Sequence, residues 1–278
     1  MDSVNLILIG LAGLVAGGFA TMLVDRIPDK TPMSLRSRCP HCGHALGVAD
    51  VIPVLSWIRR RTCRHCEAPV TIAYPLVELA TAGLFVAAAA RYGLEWEVLP
   101  PLVLVVALVA LSMIDMYVYR LPDRLVFPSL GISALAIVIA AFGIDRPSAV
   151  GRAAAGMGIY FLILFVAHLI SPRGMGFGDV KLALLLGLHL GWTAGSRYAG
   201  WSPVFRLVVW GLLLGCFIGI IGGISLALLR KGGRNVVADP EAEDGQPTRL
   251  LGHSFPFGPA LAAGTLAVMF FSDTVIGV

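Results

Sequence analysis

Residues 98–115 read Val-Leu-Pro-Pro-Leu-Val-Leu-Val-Val-Ala-Leu-Val-Ala-Leu-Ser-Met-Ile-Asp, an apolar run that ends in a carboxylate. A helix needs roughly 20 predominantly apolar residues to cross a hydrocarbon core of about 30 Å. Charged side chains are costly at membrane depth, so an aspartate at the edge of such a run marks a candidate functional site. The stretch predicts a transmembrane helix that carries Asp115 to the membrane boundary.

The composition of the whole chain agrees with this interpretation. It is 57% hydrophobic and 14% charged, whereas soluble domains carry about 25% charged residues. We predict an all-α fold, a polytopic membrane bundle of about eight transmembrane helices with a small cytoplasmic loop domain that binds zinc. The first apolar run has no basic segment before it, so it is expected to be a retained helix and not a signal peptide. The predicted spans are Val4–Val24, Tyr74–Ala90, Val98–Ile114, Leu125–Ile144, Ala153–Ser171, Val180–Trp192, Leu207–Leu229 and Phe255–Ser272.

The basic residues predict the orientation of the bundle, because cytoplasmic loops are enriched in Lys and Arg. With eight spans and residues 25–73 placed inside, the cytoplasmic side carries most of the basic residues and both termini lie outside. The net charge of +4 follows from this loop bias and gives no reason to invoke nucleic acid; membrane lipid is the expected surrounding. The predicted outside residues are Arg91, Arg146, Arg152, Arg197 and Arg206.

A second aspartate lies at the edge of another apolar run, in the stretch Gly174-Met175-Gly176-Phe177-Gly178-Asp179-Val180-Lys181. An aspartic protease requires two catalytic carboxyl groups, of which one activates water while the other stays protonated. Gly176 and Gly178 allow a close backbone approach, so they are substrate-cleft candidates together with Lys181. The alternatives are structural: Asp115 pairs with Arg120 or Arg124, and Asp179 caps its helix.

Four of the five cysteines form two C-x-x-C pairs, with twenty residues between Cys42 and Cys63. Each such turn offers two sulfurs to one tetrahedral ion, so the spacing predicts a structural zinc site formed by Cys39, Cys42, Cys63 and Cys66. Disulfides are the alternative, and they are disfavoured in a loop that the charge bias places in the cytoplasm. Cys216, alone in an apolar helix, is interpreted as a packing residue.

These features predict three parts along the chain. Residues 1–24 form the first transmembrane helix, residues 25–73 the cytoplasmic four-cysteine domain, and residues 74–278 a membrane-embedded aspartic peptidase domain. Within the last part, residues 230–254 contain paired glycines and a run of acidic residues, which is typical of a mobile polar loop on the cytoplasmic side.

The motifs, taken in order, resemble the type IV prepilin peptidases, which belong to the Gly-x-Gly-Asp membrane aspartic proteases. The resemblance extends from about Gly10 to Gly264, and its motifs are specific in combination. They are Gly17-Gly18-Phe19, Arg26-Ile27-Pro28, Arg38-Cys39-Pro40-His41-Cys42-Gly43, Ile52-Pro53-Val54-Leu55-Ser56-Trp57, the second cysteine pair, Tyr74-Pro75-Leu76-Val77-Glu78-Leu79, Ile114-Asp115 with Leu121-Pro122-Asp123, Gly176-Phe177-Gly178-Asp179-Val180-Lys181, and Pro256-Phe257-Gly258-Pro259.

The resemblance implies that Asp115 and Asp179 are the catalytic pair. It implies substrates that are precursors of type IV pilins or pseudopilins, cut at the cytoplasmic face of the bacterial inner membrane. Many members also methylate the new N-terminus with S-adenosylmethionine, a role associated with the cysteine-bearing loop. This chain departs from the family pattern around that loop, at Ala20-Thr21-Met22, Arg61 and Ala73, whereas its peptidase motifs are intact.

Two other classes of protein account for some of the same features. A non-catalytic membrane scaffold, with a zinc knuckle that docks a cytoplasmic partner, predicts that the two aspartates are separable and dispensable. A transporter also uses intramembrane carboxylates, as proton relays. The transporter interpretation is disfavoured because the aspartates lie at the membrane edge and the sequence lacks a symmetric pair of interrupted apolar segments.

Overall fold

The protein is described here from a computed structural model. The structure describes residues 3–27, 39, 41–44, 54, 57–58, 61–172, 175–231 and 256–277, and the side chains of residues 229–231 are excluded. Apart from one isolated bridge between Thr62 and Pro69, the regular structure in these ranges is helical. The helices are α1 (Ser3–Arg26), α2 (Ala73–Tyr92), a short 3₁₀ turn (Trp96–Val98), α3 (Leu99–Val118), α4 (Asp123–Gly143), α5 (Ser148–Ile170), α6 (Phe177–Arg197), α7 (Ser202–Lys231), α8 (Gly258–Phe270) and α9 (Ser272–Ile276).

The prediction of an all-α membrane protein is confirmed. Within the described ranges, six helical segments are long and apolar enough to cross a membrane, namely α1, α2, the 3₁₀ turn with α3, α4, α5 and most of α7. The other two predicted spans are also helices. Helix α6 has 21 residues, so it is about 31 Å long, although its sequence is less apolar; α8 has 13 residues.

The boundaries of these last two helices differ from the predicted spans. Helix α6 is longer than the predicted Val180–Trp192, because its N-cap is Gly176 and its last turn reaches Arg197. Helix α8 begins at Gly258 and places Pro259 in its first turn, where the missing N–H has no helical partner in any case. It ends at Phe270, and α9 follows it.

Contacts divide the chain into two compact units. The first comprises Met1–Ala110 and Phe127–Ile144, and in it α1 packs closely on α2. A Cβ atom built on Gly17 lies 2.6 Å from the Glu78 Cα, and one built on Gly13 lies 2.6 Å from the Ala82 Cα. Such distances leave no room for a side chain, so small residues set the approach of the two helices.

The second unit comprises Leu111–Val126 and Asp145–Val278, with α6 as its buried centre. Nearly every residue of α6 from Val180 to Ser196 is buried. Helix α5 approaches it through glycine: a Cβ atom on Gly187 lies 2.3 Å from the Gly156 carbonyl oxygen, and one on Gly191 lies 2.3 Å from the Arg152 carbonyl oxygen. This packing fixes the helix that carries Asp179 at its N-terminal end.

Helices α7 and α8 of the same unit also meet through glycines. A Cβ atom on Gly264 lies 2.3 Å from the Gly215 nitrogen, and one on Gly219 lies 2.4 Å from the Phe257 ring. The glycines of α7 therefore serve helix packing, as their sequence pattern predicts. The Phe257 contact anchors the N-terminal end of α8, immediately before Gly258.

Candidate functional site

Asp115 lies in the last turn of α3, and its side chain is only 6% exposed. The helix ends soon after it, since Tyr119 adopts a left-handed conformation with φ of 54°. The Asp115 Oδ2 atom accepts a hydrogen bond of 3.0 Å from the backbone N–H of Gly258. The alternative pairing of Asp115 with Arg120 or Arg124 is thus replaced by a backbone partner from the start of α8.

Asp179 is the third residue of α6 and is partly buried. The N-cap is Gly176, with extended dihedral angles of φ −65° and ψ 140°, and the Asp179 N–H bonds to the Gly176 carbonyl oxygen at 3.2 Å. The interpretation of Asp179 as the cap is therefore wrong, because the helix begins two residues earlier at Phe177. Position three of a helix leaves its carboxylate free for another role.

The structure brings the two aspartates to one site. The two residues are close enough for the charge of Asp115 to act on the Asp179 carboxylate. The side chain of Leu121 packs beside both the Gly178 backbone and the Gly258 backbone. A Cβ atom on Gly178 lies 3.3 Å from the Leu121 Cβ, and one on Gly258 lies 3.6 Å from the Leu121 Cδ1. The segment that follows α3 thus packs against the starts of both α6 and α8.

Lys181, a predicted cleft residue, has a defined partner. Its Nζ donates to Asp123 Oδ1 at 2.6 Å, and it also lies 5.3 Å from the centroid of the Phe177 ring. The contact links the first turn of α4 to the first turn of α6. The sequence predicted Lys181 as a substrate-cleft residue; it did not predict that Lys181 pairs with Asp123.

Of the other predicted cleft residues, Gly176 is exposed and Gly178 is half-buried against Leu121. His168 contacts the segment before them, since its Nδ1 lies 2.9 Å from the Met175 carbonyl oxygen. The buried His189 similarly lies 2.9 Å from the Leu185 carbonyl oxygen. Both histidines are thus within hydrogen-bonding distance of backbone carbonyl oxygens.

The four paired cysteines form one cluster. Their sulfur atoms all lie within 4.8 Å of one another; the Cys39–Cys66 separation is 3.7 Å and the Cys42–Cys63 separation is 4.0 Å. Four thiolates around one zinc ion at about 2.3 Å place their sulfurs about 3.8 Å apart. A disulfide requires about 2.05 Å, and all four cysteines are free thiols. The cluster therefore fits a tetrahedral metal ion.

Two matching backbone turns present the sulfurs. In the first, the Cys39 N–H bonds to the His44 carbonyl oxygen at 2.9 Å; in the second, the Cys63 N–H bonds to the Ala68 carbonyl oxygen at 2.9 Å. Backbone N–H groups directed at the Cys63 sulfur, chiefly those of Cys66 and His65, lower the pKa of this thiol to about 6, whereas burial and the neighbouring sulfurs raise the pKa of Cys66. A lower thiol pKa favours the thiolate, which is the form that binds metal.

Glu78 has a partner that sequence reasoning missed. A carboxylate about one turn into an apolar helix is expected to reach the interface or to pair with a loop arginine. Instead, Glu78 Oε2 accepts a 2.7 Å hydrogen bond from the backbone N–H of Val54. Val54 has a φ of 59°, which is unusual for a β-branched residue. Both residues belong to motifs of the resemblance, but a backbone donor leaves no signal in the sequence.

Two family profiles and several named relatives match the chain. A family profile described as "Bacterial Peptidase A24 N-terminal domain" matches residues 11–92, and one described as "Type IV leader peptidase family" matches residues 102–224. A "Prepilin leader peptidase/N-methyltransferase" of Aeromonas hydrophila is 32% identical over 96% of this chain and 91% of its own length.

Relatives from other bacteria carry the same name. The protein of Myxococcus xanthus is 35% identical over 86% of this chain and 69% of its own length. The protein of Bacillus subtilis is 29% identical over 95% of this chain and 93% of its own length. No solved structure matches the chain significantly.

The helical bundle and the matched family profiles define a polytopic membrane protein of the peptidase class. Its four-cysteine cluster could hold a metal ion. The chain belongs to the type IV leader peptidase family. The scaffold interpretation is therefore not favoured.

Proposed function

We propose that this protein cleaves the leader peptides of type IV prepilins or pseudopilins through the carboxylates of Asp115 and Asp179. The observation that carries the proposal is the convergence of these two residues from α3 and α6 on one site, with Leu121 packed between their surroundings. The relatives named as prepilin leader peptidases supply the substrate class.

The chemistry follows from two carboxyl groups that share a site. One ionised carboxylate takes a proton from water, and the protonated partner donates to the carbonyl oxygen of the scissile peptide bond. The tetrahedral intermediate then collapses, and the leaving amine takes up the proton that came from water. Gly176 is the exposed, extended N-cap of α6, and Gly178 lies in its first turn. An extended substrate strand can lie against the backbone at this end of the helix.

We propose a structural zinc ion for the four-cysteine cluster. Cys39, Cys42, Cys63 and Cys66 would hold it, and because they fill all four positions the site leaves none open for catalysis. Its role is to join the two turns of the predicted cytoplasmic domain, residues 25–73, most of which lies outside the described residues. Residues 230–254, the predicted mobile loop, lie almost entirely outside them as well.

The relatives' names support a second activity, N-methylation of the new N-terminus with S-adenosylmethionine. The departures at Ala20-Thr21-Met22, Arg61 and Ala73 concern the surroundings of the cysteine-bearing loop. We therefore propose peptide cleavage as the primary activity of the chain, with methylation as a separable one. The bacterial relatives support an inner-membrane location, and the distribution of basic residues supports placing the cysteine domain and the aspartates on the cytoplasmic side.

Cleavage of a co-expressed prepilin tests the proposed function. Asp115→Asn and Asp179→Asn should each reduce cleavage by at least about a thousandfold, because the members of a catalytic unit are individually indispensable. Asp123→Asn, which removes a carboxylate from the neighbouring ion pair, is the matched control and should retain most of the activity.

The amount of inserted protein is measured in parallel by immunoblotting of membranes. Substantial cleavage by either dyad variant, at a normal membrane level, would contradict the assignment of the catalytic pair. Absence of cleavage by the wild-type protein with every prepilin offered would contradict the proposed function itself.

A further inference from the structure

The two aspartates differ in what contacts them. Asp115 accepts the N–H of Gly258 at 3.0 Å, and this contact is buried. Among the described residues, no hydrogen-bond donor is found against the Asp179 carboxylate, which is the more exposed of the pair. A backbone N–H can only donate, and a carboxylate accepts it more strongly than a protonated carboxyl group does, so this contact favours the ionised form of Asp115.

The position of this donor strengthens its effect. Gly258 is the first residue of α8, so its N–H is one of the helix-terminal donors that lack a partner within the helix. The N-terminal end of a helix also carries partial positive charge, which favours an anion. Helix α8 itself contains no ionisable side chain that could supply a competing charge.

The approach requires glycine at position 258. A Cβ atom built there lies only 2.7 Å from Asp115 Oδ2 and 3.4 Å from its Cγ. Any side chain would therefore push the carboxylate away from the N–H. The Phe257 ring, held against Gly219 of α7, fixes the preceding residue.

We infer that the backbone N–H of Gly258 makes Asp115 the ionised, water-activating member of the pair and leaves Asp179 as the protonated one. Gly258 is then a positioning residue. The inference rests on the proposed peptidase function and deepens it by assigning the two roles. It also gives the segment Pro256-Phe257-Gly258-Pro259 a task that neither its composition nor its spacing reveals.

The proton transfers balance under this assignment. Asp115 takes a proton from the attacking water, whose oxygen forms a bond to the scissile carbonyl carbon, and Asp179 gives its proton to the carbonyl oxygen. On collapse, the C–N bond breaks and the proton held by Asp115 passes to the leaving amine. A proton from the intermediate's hydroxyl groups returns to Asp179, so both carboxyl groups regain their starting states.

Other ionisable groups around the pair are few. Asp179 on α6 is the group whose charge interacts with Asp115. Lys181, also on α6, is occupied by Asp123 at the start of α4. Tyr160 on α5 interacts electrostatically with Asp179 and with Cys216 on α7. His168 on α5 contacts the Met175 carbonyl oxygen and the Phe177 ring at the start of α6. A change at Gly258 therefore alters one hydrogen bond and no charge.

The test replaces the Gly258 amide by an ester, through incorporation of glycolic acid at position 258 of the full chain. This change removes the N–H and adds no Cβ atom. An ester at Ala260, whose N–H bonds to the Phe257 carbonyl oxygen at 3.1 Å, is the matched control in the same helical turn. The dependence of kcat/KM on pH is measured for both esters and for the wild-type protein, with a prepilin substrate.

Loss of the donor removes a preference for the ionised form of Asp115, so this carboxylate should protonate at higher pH. We expect the acidic limb of the kcat/KM profile of the Gly258 ester to move upward by about one pH unit. At pH values below this limb, kcat/KM should therefore fall about tenfold relative to the wild-type protein. The Ala260 ester should keep the wild-type limb. A lowered plateau with an unmoved limb would overturn the inference and leave the peptidase standing, whereas an inactive wild-type protein would overturn the peptidase proposal.

Gly258→Ala provides a second measurement that needs no unnatural residue. Its Cβ atom blocks the contact, so it should move the same limb in the same direction. Gly158→Ala on α5, where a Cβ atom meets nothing within 4 Å, should leave the profile unchanged. Equal profiles for the two alanine variants would contradict the assignment of Gly258 as a positioning residue.

Discussion

Asp115 and Asp179 show how neighbours give two identical side chains different surroundings. The first is almost fully buried and accepts a backbone N–H, whereas the second stands in the open first turn of α6. Acid and base assignments in enzymes follow from such differences between paired titratable groups. At the scale of single residues, the structure therefore shows that the two aspartates differ in burial and in hydrogen bonding, which the sequence does not.

The Lys181–Asp123 ion pair gives a prediction at the same scale. It joins the first turns of α4 and α6, with side chains 23% and 54% exposed. Lys181→Met and Asp123→Asn should each lower the melting temperature slightly, and the double variant Lys181→Met with Asp123→Asn should lose less stability than the sum of the two single changes. For a pair this exposed we expect a coupling of about 0.5–1 kcal/mol. Thermal unfolding of the four proteins in detergent measures it, and strictly additive effects would contradict the pairing.

At the scale of elements, the two cysteine turns are equivalent in their backbone hydrogen bonds. Each first cysteine bonds to the carbonyl oxygen five residues later, and in each turn the residue after the second cysteine has a positive φ: 69° at Gly43 and 57° at Glu67. Glycine adopts this conformation without cost, whereas glutamate does not. The second turn is therefore held in a less favourable conformation than the first.

Cysteine substitutions and a measurement of bound zinc test the proposed metal site. The purified protein should contain about one zinc ion per chain, and Cys39→Ser or Cys63→Ser should lower that content several-fold as measured by elemental analysis. Prepilin cleavage should fall much less than in Asp115→Asn, because the cluster contains no member of the proposed dyad. Cys216→Ser is the control and should keep its zinc. Metal-free wild-type protein with four freely alkylated thiols would exclude the site.

The packing of α5 on α6 gives a second prediction for the elements. A Cβ atom on Gly187 would meet the Gly156 backbone and the Tyr160 Cβ, at 2.3 and 2.8 Å. Gly187→Ala should therefore force the helices apart and destabilise the protein by about 1–3 kcal/mol. Gly158→Ala on the same pair of helices meets nothing and should be neutral or slightly stabilising. Thermal unfolding compares them, and an equally stable Gly187→Ala protein would show that the helices are not in close contact.

At the scale of the whole molecule, the charge bias predicts the orientation in the membrane. Glu95 follows α2 and Arg120 follows α3, and both are exposed. Glu95→Cys should react with a membrane-impermeant maleimide in intact spheroplasts, whereas Arg120→Cys should react only after lysis. The wild-type protein gives the background from its own cysteines. The reverse pattern would place the aspartates on the outer face, away from a cytoplasmic leader peptide.

Much of the site was predictable because its signals are local. Paired cysteines with a C-x-x-C spacing and aspartates at the edges of apolar runs can be recognised one segment at a time. The partners of these residues were not predictable in the same way. Gly258 is 143 residues from Asp115, and Lys181 is 58 residues from Asp123. Contacts of such separation depend on how helices pack.

The sequence by itself determined the all-α membrane class, the positions of most helices, the two aspartates and the four cysteines. Hydrophobic run length and the cost of a charge in lipid are sufficient for these assignments. Only the tertiary structure decided that Asp179 stands inside α6 and does not cap it, that Lys181 pairs with Asp123, and that a glycine N–H contacts Asp115. The physical reason is that a backbone donor is the same in every residue except proline, so its direction is set by packing and not by composition.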